Sequence, residues 1–135
     1  MTDVHQHRDR LNHLSNLIIG AALEVHREVG PGMLESAYEA CLAFELSRRG
    51  LGFEKQKPLP LQYKSMRLGC GFRLDLLVEK LIVVEVKAVE RIDRIHRSQL
   101  LHYLKQMRLN LGLLINFNVR LLEDGVQRIV NDFPE

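Results

Sequence analysis

The chain has 135 residues, of which 46% are apolar and 27% charged, and a formal net charge of +2. That size fits one domain around a single core and excludes a multidomain assembly, while the composition excludes a disordered or collagen-like chain. The longest apolar stretch, Leu17 to Leu23, has seven residues, far below the roughly 20 that cross a bilayer. The charge is too small by itself to argue for nucleic acid. The polar start, Met1 to Arg10, has no apolar signal-peptide core, so a cytoplasmic location is expected, with residues 1–10 a flexible lead-in to one domain over 1–135. Cys41 and Cys70 form neither a disulfide framework nor a zinc-ligand spacing and are read as reduced thiols.

In chain order, Leu11, Leu14, Ile18, Ala22, Val25 and Val29 recur in steps of three and four, which predicts an amphipathic helix that Gly30-Pro31-Gly32 stops. A second helix is expected from about Met33 to Arg49, ending at Gly50 or Gly52. From Phe53 to Val86 the texture becomes strand-like. Leu59, Leu61 and Tyr63 alternate, and β-rich runs cover Phe72 to Val78 and Leu81 to Val86. Leu100, Tyr103, Leu104 and Met107 predict a third helix, followed by an apolar strand from Leu111 to Phe117 and a short one near Val126 to Val130. Helix, helix, three strands, helix, strand, strand is an α/β or α+β order with one mixed sheet.

Charged residues interrupt two of these strands. In Leu81 to Lys87, side chains alternate, so Glu85 and Lys87 share a face at the end of an apolar strand. The preceding strand carries Asp75, a residue type that strands avoid. Two carboxylates suit a hard divalent cation, and a lysine beside them suits a water or a developing phosphate charge; an intra-sheet salt bridge is the plainer alternative. On a helical wheel with Leu34 at zero, the apolar positions Phe44, Ala37, Cys41, Leu34, Tyr38, Leu42 and Leu46 fill an arc from about 280° through zero to about 120°. Glu35 at about 100° and Glu45 at about 20° both fall inside it, and a core-facing carboxylate needs a partner. The wheel does not choose between them.

The segment Gly32-Met33-Leu34-Glu35-Ser36-Ala37-Tyr38, preceded by Val25-His26-Arg27-Glu28-Val29-Gly30-Pro31, resembles the signature of the bacterial GxxExxY proteins of the PD-(D/E)xK nuclease-like superfamily. The resemblance continues through Arg73 to Val78, Val84 to Ala88, Gln99 to Leu104 and Gly112 to Phe117, and covers about residues 14 to 131. It implies a restriction-endonuclease-like α/β domain, a central mixed sheet flanked by helices. It further implies Asp75, Glu85 and Glu35 as metal ligands, Lys87 as the catalytic lysine, and Glu45 as the less favoured acid. Leu74 stands where the superfamily name has proline.

The activity this implies is Mg²⁺- or Mn²⁺-dependent hydrolysis of phosphodiester bonds in DNA, without a membrane partner and with a homo-oligomer left open. A catalytically silent nucleic-acid-binding or partner-binding module on the same fold is the alternative, and an exposed apolar face on the first helix would favour partner binding. Gln99 and Tyr103 share a helix face and are candidate substrate contacts. Arg91, Arg94 and Arg97 recur every third residue near a helix N-terminus and could meet phosphate, or form a solvated basic face. His26 is read as structural, and His5, His7, His96 and His102 lack metal spacing.

One expectation concerns the turn between the site strands. A two-residue turn at Glu79-Lys80 would set Asp75 opposite Val84 and send the two acids to opposite faces. A three-residue loop, Glu79-Lys80-Leu81, pairs Val78 with Ile82 and sets Asp75 opposite Glu85. An odd connection, or a bulge restoring the parity, is therefore expected, as is convergence of Glu35, Asp75, Glu85 and Lys87 on one concave pocket.

Overall fold

The structure, a computed structural model, describes residues 3–135, with Cys70 described through its backbone alone; the reading of that thiol lies outside the described residues. Helix α1 (Asp3–Val29) buries the expected stripe of Leu11, Leu14, Ile18, Ala22 and Val25. Residues 3–10, expected to be a flexible lead-in, are helical; Asp3 suits the positive end of the helix, and His7 Nε2 meets Asn110 Oδ1 at 2.9 Å. Gly30 and Gly32, at φ +74° and +100°, turn the chain through a conformation that favours glycine. Helix α2 (Glu35–Arg48) then packs antiparallel to α1, as a helical hairpin.

Five strands follow: β1 (Phe53–Tyr63), β2 (Met66–Val78), β3 (Ile82–Lys87), β4 (Leu111–Asn116) and β5 (Val126–Val130), with helix α3 (Arg94–Met107) between β3 and β4. Their spatial order equals their chain order. All neighbours are antiparallel except β3 and β4, whose parallel pairing requires a crossover, and α3 supplies it. Pro58 and Pro60 sit on β1, the sheet edge, where a missing N–H costs least. The result is a mixed sheet flanked by helices, the expected fold class. Leu76, Val78, Ile82, Val84 and Val86 pack toward α1 and α2, while Leu77, Val83 and Leu114 pack toward α3 with Leu100, Tyr103 and Leu104. Among the described residues no helix is long and apolar enough to cross a membrane.

Two details of α2 correct the wheel. The helix starts at Glu35, so Leu34 is its N-cap and 73% exposed, and Phe44 is 60% exposed. The buried positions are Tyr38, Leu42, Ala43 and Leu46, an arc shifted toward higher angles because α2 leans on α1 and the sheet together. On α1, the exposed apolar residues Val4, Leu23 and Val29 are scattered beside a buried stripe.

Candidate active site

The β2–β3 connection has the odd length that the carboxylates require. Val78 pairs with Ile82, Leu77 with Val83 and Leu76 with Val84. Glu79 and Lys80 both take left-handed φ values, and Leu81 N–H closes the turn on the Val78 carbonyl at 2.9 Å. Leu81 is the extra residue that restores the parity.

Beyond Leu76 and Val84 the ladder ends, and carboxylates replace the missing main-chain partners. Val86 N–H donates to Asp75 Oδ2 at 2.8 Å, and Asp75 N–H donates to Glu85 Oε2 at 3.0 Å. One residue past Lys87, Ala88 N–H donates to Glu35 Oε2 at 3.1 Å. A buried N–H without an acceptor is costly, so each acid is held where β2 leaves β3. Side-chain facing also slips there. Phe72 and Leu74 pack toward α3, but Leu76 packs toward α1 and α2, so the alternation breaks at Asp75. Across from Asp75 on β1, Gln56 takes φ +51°.

These acids strain against one another. Glu85 is 5% exposed, and burial, reinforced by the Asp75 charge, pushes its pKa up to about 8. Burial likewise raises Asp75, against the lowering effects of Val86 N–H and the Lys87 charge. Glu39 is raised by burial and by Asp75. Beneath them Tyr103, 3% exposed, has its hydroxyl pushed up to about 12 by burial and by the charges of Glu85 and Asp75. Lys87 makes no ion pair among the described residues, so the plain salt-bridge alternative is not what is found; its charge reaches both acids from farther away.

A cleft of about 480 Å³ opens over this fork, lined by Glu35, Ser36, Glu39, Gln56, Asp75 and Val86. Of the four residues expected to converge on one pocket, Glu35 and Asp75 line it, whereas Glu85 and Lys87 do not, Glu85 being buried on the strand beneath. Among the described residues, no three His, Cys, Asp or Glu side chains are gathered into a ready metal cluster. In chemistry the acids here fit a hard divalent cation: they offer carboxylate oxygens, and burial above all holds Asp75 and Glu85 above their ordinary pKa values, a cost that a bound cation would offset.

The glycine, glutamate and tyrosine of the α2 signature each have a place. Gly32 makes the turn, Glu35 opens the helix over the cleft, and Tyr38 locks the turn. Its hydroxyl donates to the Gly30 carbonyl at 2.5 Å and accepts Met33 N–H at 3.1 Å, while its ring stacks on Phe117 at 4.6 Å.

Other candidates lie elsewhere. Glu45 is paired with Arg49 at 2.5 Å, away from the cleft. Gln99 is half-buried one turn before Tyr103 on α3 and does not line the cleft. Arg91 lines a separate surface cleft with Glu90, Arg94 is exposed at the start of α3, and Arg97 reaches Gln127 at 3.5 Å. None of the three lines the carboxylate cleft. His26 Nε2 lies 2.7 Å from the Val119 carbonyl, a structural tie. His96 Nδ1 accepts Asp93 N–H at the start of α3, and His102 meets Phe72 edge-on.

Three residues of the site escaped sequence reasoning. Glu39 lies at about 140° on the wheel, just beyond the apolar arc as drawn. Gln56 donates to Glu39 Oε1 at 2.7 Å and to Asp75 Oδ1 at 3.4 Å; no pattern marks a glutamine for a left-handed turn. Asn116 sits in the strand read as apolar. It is 2% exposed, and its amide accepts Val89 N–H and donates to the Val89 carbonyl, which pins the segment after Lys87. An amide inside an apolar run was the available signal.

The family model described as the PD-(D/E)XK nuclease superfamily covers residues 12–129. No curated protein and no solved structure matches the chain.

Proposed function

The chain belongs to the PD-(D/E)XK nuclease superfamily, and from that premise we propose a divalent-metal-dependent nuclease that hydrolyses phosphodiester bonds in DNA. The observation that carries this reading is the fork itself: buried carboxylates stand in for backbone partners where β2 leaves β3, with Lys87 two residues beyond Glu85. In this reading Asp75, Glu85 and Glu35 hold Mg²⁺ or Mn²⁺, which supplies polarisation of a phosphoryl oxygen and a more acidic bound water.

The remaining work belongs to the protein. Lys87, free of an ion pair among the described residues, keeps its ammonium available to orient a water or to balance charge on the phosphate. Gln56 turns one Asp75 oxygen and Val86 N–H holds the other, so the carboxylate presents one geometry. Tyr103 keeps its proton at neutral pH and closes the floor of the site toward α3. The narrower assignment to the GxxExxY proteins is supported by the places of Gly32, Glu35 and Tyr38, and a cytoplasmic location goes with it.

The test is a gel assay of the purified protein on single-stranded, duplex and branched DNA with and without Mn²⁺. Metal-dependent cleavage lost in Lys87→Ala is the expected result. Binding without cleavage under every condition would replace this reading with that of a silent nucleic-acid-binding module.

A further inference from the structure

Residues 55–74 carry five Lys and Arg, Lys55, Lys57, Lys64, Arg67 and Arg73, and no Asp or Glu. In the fold this stretch is a two-stranded ribbon. β2 pairs with β3 only from Leu76 to Val78, so the rest of β2 has β1 as its single strand neighbour. A bare ribbon is marginally stable, and α3 supports this one on one side: Leu59, Phe72 and Leu74 pack on it, and Gln106 donates to the Pro60 carbonyl. The ribbon also bulges where Pro60 faces Gly71. A Cβ on Gly71 would lie 2.3 Å from the Leu59 carbonyl oxygen, so only glycine allows that approach.

The other side of the ribbon is open. Arg73 points away from α3, since both its neighbours point toward it, and alternation along β1 from Leu59 puts Gln62 and its partner Arg67 on the same open side. Arg67 and Arg73 are exposed and make no ion pair among the described residues, whereas Lys57 is held by Glu54 at 3.0 Å. Lys55 does not line the cleft, but it is near enough for its charge to act on Glu39. Counted along β1, from Gln56 opposite Asp75 to Pro58 opposite Arg73 and Gln62 opposite Arg67, a strand rise of roughly 3.3 Å per residue puts Arg73 roughly 7 Å and Arg67 roughly 20 Å from Asp75 along the ribbon. At the tip, the opposed pair Tyr63 and Met66 is 56% and 51% exposed on the α3 side, the reverse of the face that carries Arg67 and Arg73, and Lys64 lies 5.5 Å over the Tyr63 ring.

We propose that this arm is the protein's binding surface for a single nucleic-acid strand, whose backbone phosphates follow Lys55, Arg73 and Arg67 outward from the cleft along the open side and which rounds the tip to stack an unpaired base on Tyr63. A cationic row that ends at an exposed aromatic ring is the chemistry single strands use, because unpaired bases offer a face that a duplex hides and a flexible strand can round the edge of a two-stranded ribbon. This inference rests on the nucleic-acid reading above, and binding measured in EDTA separates it from cleavage.

Fluorescence anisotropy with a labelled 20-nucleotide oligo-dT and a 20-base-pair duplex, across a salt series, tests it. Wild type is expected to bind oligo-dT more tightly than duplex. Arg67→Gln with Arg73→Gln should weaken oligo-dT binding at least tenfold and lower the salt slope by about 1.4, two contacts at about 0.7 each. Tyr63→Ala should weaken oligo-dT binding several-fold and leave duplex binding unchanged. Unaltered affinity and slope in the arginine double variant overturn the proposal, even in a protein that cleaves DNA. So does duplex binding as tight as oligo-dT, or no binding by wild type. Arm-dependent binding in a protein that never cleaves sustains this proposal while removing the nuclease reading.

Discussion

The two ends of the β2–β3 pair are built on opposite terms. At the closed end, Val78 and Ile82 face each other, the side chains are apolar and fully buried, and main-chain groups satisfy one another. At the open end, one step past Leu76 and Val84, the main chains part and Asp75, Glu85 and Glu35 accept the N–H groups left over. The same sheet thus spends one end on stability and keeps the other for chemistry. A backbone donor for each carboxylate lowers the cost of placing these acids at the open end, though for Glu85 burial outweighs it and keeps the proton on.

The largest expected effect breaks this contrast at the open end. Lys87→Ala should cut turnover by about 10²–10⁴-fold, the range for loss of a positioned acid–base or charge-balancing group, with unfolding stability changed by less than about 1 kcal/mol. Undiminished turnover would refute the role assigned to the lysine. Leu76→Ala, at the last closed pair, should do the reverse. It empties a fully buried site, so urea unfolding should show a loss of about 2–5 kcal/mol.

A middle-sized effect concerns pH. Glu85 titrates near 4.5 when unfolded and about 8 in the folded, metal-free protein. The folded state therefore holds the extra proton between those values, so the stability contributed by protonated Glu85 is full below pH 4.5 and is lost as pH rises through 8. That loss is on the order of 4 kcal/mol, and denaturant titrations in EDTA at pH 5 and pH 8.5 should show it. Glu85→Gln should flatten the dependence. Asp75→Asn should reduce it, since the Asp75 charge is the second cause of the shift, and should weaken Mn²⁺ binding in calorimetric titration. A flat profile in wild type would show that the acids are not in conflict.

What could be read in advance follows the same division. The closed end obeys periodicity, so the order of elements and the mixed sheet follow from the pattern of apolar residues, and the odd connection from Glu79 to Leu81 follows once Asp75 and Glu85 are required to share a face. The open end departs from periodicity. The wheel placed Glu35 at a core-facing angle, and the angle holds, but at the first residue of α2 that angle overhangs the sheet and Glu35 is exposed. Glu39, one turn deeper, meets Asp75 instead. Arg91, Arg94 and Arg97 formed the visible basic pattern, yet none of them lines the cleft, and the cations whose charge reaches its acids are Lys87 on β3 and Lys55 on β1.

The smallest effect tests the joint between the two ends. Gln56, opposite Asp75, holds φ +51°, a conformation that costs a residue with a Cβ about 1–2 kcal/mol. Gln56→Gly removes that strain but also the amide and some unfolded-state restriction, so its net change should stay within about 1 kcal/mol. Gln56→Ala loses the amide and keeps the strain. Glycine should therefore be more stable than alanine at this position by about 1 kcal/mol, the reverse of their usual order inside a strand. Lys57, the next residue on β1, has no left-handed φ, and the same pair of substitutions there should restore the usual order. Both Gln56 variants lose the contact to Asp75, so both should lower turnover by a similar several-fold factor. If alanine proved the more stable at position 56, the left-handed joint would not be what separates the ribbon from the sheet. If the two variants differed widely in turnover, backbone shape rather than the amide would be what orients Asp75.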